Sequence, residues 1–303
     1  MGHDHHQHTH TVEGKRLLIT VLLNLAITIA EFIGGIFSNS LALISDAFHN
    51  LSDTVAILIT YITERISKRA SNEKFTFGYK RIQILAAMFN AVTLIAISVF
   101  LIFEAWERFN NPQPIKSVLM ITVAMIGLLA NLASVVLLKS HKKGNINIKA
   151  AYLHLIGDTL SSVAVIIGGI LIYFYEIYWV DPLITVLISL YIIKETYVVL
   201  YDTYKILMQQ TPSGIEMEDI IAAVTAFNEV KGVHHIHIWN LTDQEVHFEG
   251  HIDLCKDLKV SDGQKVVDKI QIVLKEKYKI DHITLQLEYD RCDNKEIIHQ
   301  EGK

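Results

Sequence analysis

Cysteine is nearly absent: the chain has two in 303 residues, Cys255 and Cys292, both in its last third. They cannot supply a disulfide framework, and in a reducing compartment they are expected to stay single thiols or to give one metal ligand. The first 14 residues, MGHDHHQHTHTVEG, lack an apolar core, so they do not read as a cleavable secretory signal. The first long apolar run is then expected to direct insertion itself. Proline is scarce, at four, and little interrupts the apolar stretches. No His-Glu-x-x-His occurs, so the general base of a zinc hydrolase has no candidate.

What the sequence does hold is apolar length. It is 51% hydrophobic, and six runs fall at roughly 17–37, 41–63, 82–103, 117–138, 150–174 and 180–201. Each has the ~20 residues that a helix needs to cross ~30 Å of hydrocarbon. The net charge of −5 says less than the placement of the cations. Lys15 and Arg16 precede the first run, and Arg65, Lys68, Arg69, Lys74, Lys80 and Arg81 crowd the connection between runs two and three. Lys139, Lys142, Lys143 and Lys149 fill the connection between runs four and five, whereas the other connections hold only Arg108 and Lys116. The positive-inside rule puts both termini in the cytoplasm.

After Met208 the character changes. The tail is charged and reads α-β-β-α-β: SGIEMEDIIAAVTAFNEV is helical with Ser213 as candidate N-cap, and GVHHIHIWNLT and EVHFEGHIDLC alternate as paired strands around Asp243–Gln244. SDGQKVVDKIQIVLKEKY is a second amphipathic helix, and DHITLQLEYD a third strand. The result is a compact α+β unit of about 90 residues whose open sheet suits dimerisation. The expected division is a His-rich N-terminal tail at 1–14, a six-span transmembrane transport domain at 15–208, a cytoplasmic α+β metal-sensing and dimerisation domain at 209–292, and a C-terminal tail at 293–303. His3, His5, His6, His8 and His10 make the N-terminal tail a loose metal-capturing segment or a plain solvated one.

One stretch breaks the apolar pattern. SDAFHNLSD carries Asp46, His49 and Asp53 inside the second run, where each carboxylate costs ~2.5–3.5 kcal/mol to insert even on a lenient scale. HNLSDT at 49–54 recurs in form as HLIGDT at 154–159, each with His and Asp one helical turn apart on one face. A lone intramembrane His is ordinarily just hydrogen-bonded to a neighbouring helix; two such pairs are a ligand set. His49, Asp53, His154 and Asp158 supply four N/O ligands, the number tetrahedral Zn²⁺ takes, and their two carboxylates cancel its charge. With spans two and five running in opposite directions, His49 levels with Asp158 and Asp53 with His154. Asp46, one turn before, reads as an entry carboxylate or as an acceptor that fixes the His49 tautomer. Four protein ligands leave no open position for hydrolysis.

SNSLALISDAFHNLSD, FTFGYKRIQILAA, HLIGDTLSS, WVDP and GVHHIHIW together resemble the cation diffusion facilitators, in particular their zinc-transporting branch. The resemblance runs from the first span to about Cys292. It implies an inner-membrane homodimer that exports Zn²⁺ from the cytoplasm in exchange for protons by alternating access, with Cd²⁺ and Co²⁺ as side substrates, no enzymatic activity and no nucleic-acid partner. The tail would be the family's ferredoxin-like domain, binding Zn²⁺ as a regulatory ligand. His234 and His251 match strand ligand positions there and Glu288 an acidic one, with His235, His237 and His247 as competitors and Gln264 and Gln286 standing where some relatives have histidine. Alternation separates His235 and His237 from His234. Cys292 is an outlying extra candidate. A further loop site of some members has Asn72, Phe75 and Tyr79 in place of its ligands, and is not expected.

Overall fold

The computed structural model describes residues 24–139, 146–291 and 297; for 134–139 and 146–155 it describes the backbone alone. The His-rich segment, Lys15, Arg16, Lys142, Lys143 and Cys292 lie outside the described residues, as do the side chains of Lys139, Lys149 and His154. The chain divides into two units. One runs up to Ile62 and over Ala87–Leu200; the other takes Thr63–Ala86 and everything from Tyr201.

The first unit is helical, built on α1 (Asn24–Ser38), α2 (Leu41–Ser67), α3 (Ile82–Asn110), α4 (Ser117–Lys139), α5 (Ile146–Tyr175) and α6 (Val180–Leu207), with the ends of α2, α3 and α6 at 63–67, 82–86 and 201–207 counted in the second. At 29 and 28 residues, α3 and α6 are each about 42 Å long, more than a hydrocarbon core needs. Among the described residues three helices are long and apolar enough to cross a membrane, over Ile82–Asn110, Ile156–Tyr175 and Val180–Leu207. The described apolar stretches Asn24–Ser38 and Ser117–Ala133 are shorter. α2 has the length, at 27 residues, but carries Asp46, His49, Asn50 and Asp53. Its shortfall in apolarity is the polar cluster itself.

The helices pair inward around Leu43, Leu94, Met120, Val165, Ile184 and Ile192. Outward they are apolar too: Phe89 of α3 is 72% exposed, and Phe103, Leu160 and Phe174 are similarly bare. A water-soluble protein does not present so much contiguous apolar surface. Phe109 meets Trp179 edge-on at 6.3 Å beside the α5–α6 connection, the kind of aromatic that sits at a lipid–water boundary.

The second unit orders α7 (Met217–Thr225), β1 (Val230–Asn240), β2 (Val246–Leu254), α8 (Val260–Tyr278) and β3 (His282–Glu288). The sheet runs β1-β2-β3, with β1 and β2 antiparallel and β3 parallel to β2, as the α8 crossover requires. Ile220, Val224, Phe248, Ile252, Ile270 and Leu274 form its core, joining both helices to one face of the sheet. The β1–β2 link closes with Leu241 donating to Glu245 O at 2.9 Å while Thr242 Oγ1 accepts from Gln244 N and Glu245 N. Ser213 does not cap α7: the helix starts later, at Met217 after Glu216, with no side-chain cap bond, and Glu218 and Asp219 favour its N-terminus through the helix dipole.

Candidate functional site

The position of α2 is fixed at its N-terminal end. Asn39 adopts a left-handed φ of 62°, which Asn tolerates, and ends α1 with Ser40 N–H bonded to Gly35 O and Asn39 N–H to Ile36 O. Ser40 then begins α2 and accepts from Leu43 N. Asp181, fully buried at the start of α6, accepts from Ser40 Oγ at 2.5 Å, Leu41 N at 2.8 Å and Ala42 N at 3.3 Å. The first three N–H groups of α2 are therefore satisfied, with a carboxylate at the positive end of the helix dipole. The sequence shows WVDP as a motif but not that its Asp holds another helix.

Two turns along, the ligand candidates converge. His49 Nε2 lies 3.1 Å from Asp158 Oδ1 and 3.7 Å from Asp53 Oδ2. One ligand atom from each of the three falls within 4.8 Å of the others. His49 and Asp158 are buried, and Asp53 is partly so. His154 is on the same helix as Asp158, one turn earlier, with its side chain outside the described residues. Tyr191 of α6 presents its ring edge-on to His49 at 6.4 Å, and its hydroxyl lies so close to Gly157 that a Cβ there would come within 2.7 Å. Gly157 thus gives α6 its approach beside Asp158.

Asp46 is buried and accepts from Ser161 Oγ at 2.5 Å and Ser162 Oγ at 3.3 Å, hydroxyls that also lie 2.9 and 3.1 Å from Asp158 O. It ties α2 to α5 directly after Asp158. A residue missed in the sequence is Glu31, fully buried in α1, whose Oε2 accepts from Asn50 Nδ2 at 2.7 Å. Its signal was available: it is the one carboxylate in the run 17–37.

A second cluster lies in the α+β unit. His234 pairs with His251 directly across β1 and β2, and β3 brings Glu288 beside them. Glu288 Oε2 is 3.3 Å from His234 Nε2, and Oε1 is 3.0 Å from His251 Nδ1. Oε1 also accepts from Gln286 Nε2 at 2.7 Å and Arg291 Nη1 at 3.1 Å. Asp253, absent from the expected set, sits 3.6 Å from His234 Nδ1. Simple alternation fails at this point. His235 has φ 51° and lies in a register shift between His234 and His237, a bulge that stacks its ring on His251 at 4.6 Å. His237 meets His235 at 5.0 Å.

His247 lies elsewhere in the sheet, near Trp239, His282 and Phe77 and 3.3 Å from Glu245. Burial pushes the Glu245 carboxyl up, but Lys80 Nζ at 2.6 and 2.8 Å and His247 outweigh it and hold the group below its usual value. In the loop, Asn72 Oδ1 accepts from Lys74 N and Phe75 N, and Phe75 packs on Tyr79 at 4.7 Å. Cys255 is exposed and free.

A helical unit with an apolar exterior and buried acids, together with a small α+β unit, is the plan of a membrane ion carrier. Residues 17–208 match the cation efflux transmembrane domain, and 212–290 match the ZT_dimer family, described as the cation efflux protein cytoplasmic domain. The chain belongs to the cation efflux family. It is 38% identical to the cadmium, cobalt and zinc/H(+)-K(+) antiporter of Bacillus subtilis, covering 95% of this chain and 92% of that one. It is 37% identical to the zinc transporter ZitB of Pectobacterium atrosepticum, over 98% and 93%. Identity is also 37% to the metal cation efflux system protein CzcD of Cupriavidus metallidurans, over 95% and 91%.

Proposed function

We propose that the protein is a zinc exporter of the cytoplasmic membrane that exchanges Zn²⁺ for protons by alternating access, with Cd²⁺ and Co²⁺ as secondary substrates. Residues 15–208 form the transport domain and 209–292 the cytoplasmic sensing and dimerisation domain, flanked by tails at 1–14 and 293–303. Both termini face the cytoplasm, and two copies associate through the α+β domains. His49, Asp53, His154 and Asp158 carry the transported ion. The observation that supports this most is the convergence of His49, Asp53 and Asp158 within 4.8 Å inside apolar helices. Names of relatives that move zinc and protons support the same reading.

The chemistry follows from the ligands. Two carboxylates neutralise Zn²⁺, so the loaded site adds no net charge to a medium of low dielectric. Protons compete for the same lone pairs, and imidazole titrates near neutrality. Carrying two charges outward against about 100 mV costs ~4.6 kcal/mol at ~2.3 per charge, which inward proton flow offsets. His234, His251 and Glu288 bind cytoplasmic Zn²⁺ as a regulatory ligand, and the ion would share Glu288 with the Arg291 contact on its Oε1.

The test is zinc flux in proteoliposomes with an inward proton gradient. Wild type should move Zn²⁺ and protons in opposite directions, and Asp158→Ala should stop both while still inserting. Zinc flux indifferent to pH between about 5.5 and 8, with no proton movement, would make the protein a uniporter.

A further inference from the structure

Outside the ligand set, the helical unit holds two other deeply buried acids at the level of His49, and they are served very differently. Asp46 receives two hydroxyl donors, from Ser161 and Ser162. Glu31 receives one amide N–H, from Asn50, on Oε2. Among the described residues its Oε1 has no hydrogen-bond partner, and neither has Asn50 Oδ1 nor Asn131 Nδ2, all three buried. Glu31 itself is 0% exposed. An ionised carboxylate so placed would be a fully buried charge with one neutral donor among the described residues, next to an amide whose own acceptor has no partner there. A proton on Oε1 removes the charge and turns an orphaned acceptor into a donor.

Space around Oε1 decides against a larger ion. A Cβ added to Gly127 of α4 would lie 2.2 Å from Oε1, so the carboxyl group is pressed onto the α4 backbone. An alkali cation needs several oxygens at longer range. A proton needs none of that room.

We propose that Glu31 is a proton-binding site separate from the zinc ligands, and that it carries one of the protons exchanged for each Zn²⁺. Its partner Asn50 is the residue after His49, which puts the proton within electrostatic reach of the transported ion. The titratable groups that face it are Asp46 and His49 from α2 and Asp158 from α5. On α4 it lies against Gly127, which has no charge to offer. A doubly charged cation arriving at His49 favours loss of the Glu31 proton, and reciprocally a protonated Glu31 favours release of the cation. Each ion thereby disfavours the other, which is what exchange requires. In the conformation observed the carboxyl is sealed, so its proton leaves when α1 shifts against α2 and α4.

This rests on the zinc/proton exchange proposed above, and the experiment separates the two. Glu31→Gln is nearly isosteric with the protonated acid: its carbonyl accepts from Asn50 and its NH₂ supplies the donor. In proteoliposomes it should still bind Zn²⁺ with affinity within a few-fold of wild type. The count of protons exchanged per Zn²⁺ should fall by one, and the pH dependence of flux should flatten. A wild-type proton count and pH profile in Glu31→Gln would make Glu31 a permanently neutral packing group and overturn the inference, while wild type itself moves protons. No proton movement in wild type would overturn both readings. If Glu31→Gln does not insert, infrared difference spectra on Zn²⁺ addition read the same group: wild type should lose a protonated-carboxyl C=O band, and Glu31→Asp should shift it. Absence of that band, or a band unmoved in Glu31→Asp, would equally overturn the inference.

Discussion

The helical unit and the α+β unit each gather histidine and carboxylate into one cluster, by different geometry. In the first, His49 and Asp53 are four residues apart on one helix, and Asp158 comes from α5, 3.1 Å from His49. In the second, His234, His251 and Glu288 come from three strands and meet only because register sets them side by side. The helical cluster is supported by Asp46 and the two serines of α5, which bond one another across α2 and α5. The strand cluster shares its carboxylate with an amide and with Arg291, whose side chain is 54% exposed. A site whose acid already has a cation bonded to it is suited to graded occupancy. A site enclosed by helices is suited to holding an ion through a change of access.

The sharpest way to break that comparison is to damage each cluster once. Asp53→Ala should cut zinc flux by a hundredfold or more, since removing one partner from a buried charged set costs ~3–5 kcal/mol. His234→Ala with His251→Ala should leave maximal flux near wild type and move activation to higher cytoplasmic zinc. Flux at several zinc concentrations in the same vesicles measures both. If the double variant lost maximal flux as Asp53→Ala does, the two clusters would not divide transport from sensing.

The same contrast explains what could be read in advance. His-x-x-x-Asp is visible because a helix fixes the relation of residues four apart whatever surrounds it. The apolar runs, and the α-β-β-α-β order of the tail, are visible for a similar reason: period and length are local properties. Strand partners are not local. That His251 faces His234 depends on the β1–β2 register, and that His235 stacks on His251 depends on a bulge with a left-handed residue, which alternation cannot foresee. Asp253 and Arg291 were missed because nothing near them in sequence points to His234 or Glu288. The same holds for Asp181, whose partners Ser40 and Leu41 are 140 or more residues away. Glu31 was legible as an odd acid in an apolar run, but its role needed Asn50 and Gly127 beside it.

A finer test of the helical cluster concerns which ion it prefers. His49 makes the proposed set two imidazoles and two carboxylates. His49→Asp would give one imidazole and three carboxylates, more anionic and more adaptable in denticity, which suits a larger ion of higher coordination number. The Cd²⁺/Zn²⁺ transport ratio should rise by about tenfold, equivalent to ~1.4 kcal/mol of differential binding. Paired flux measurements in one vesicle preparation decide it. An unchanged ratio would mean that His49 does not set selectivity and would leave that role to the aspartates and His154.

The smallest effect belongs to the α+β unit and tests whether charge there stabilises the fold and not the ion. Lys80 Nζ bonds both oxygens of Glu245, and His247 lies 3.3 Å from Oε1. Burial raises the Glu245 value, yet these two partners bring the folded group below the ordinary 4.5. A depressed folded value means the pair's stability is fully present above the unfolded value and is lost as pH falls through the folded one. The side chains are 41% and 26% exposed, so solvent screening keeps the contribution to about 1 kcal/mol or less. Glu245→Gln should therefore lower the thermal midpoint of the α+β unit by a few degrees at neutral pH. The gap from wild type should narrow on acidification, as pH falls through the lowered value of the folded group. Because Lys80 precedes α3, the same substitution also loosens that loop segment, and added salt should mimic part of the loss at neutral pH. A gap that stayed constant from neutral pH to about pH 3 would show that Glu245 acts through packing and not through its charge.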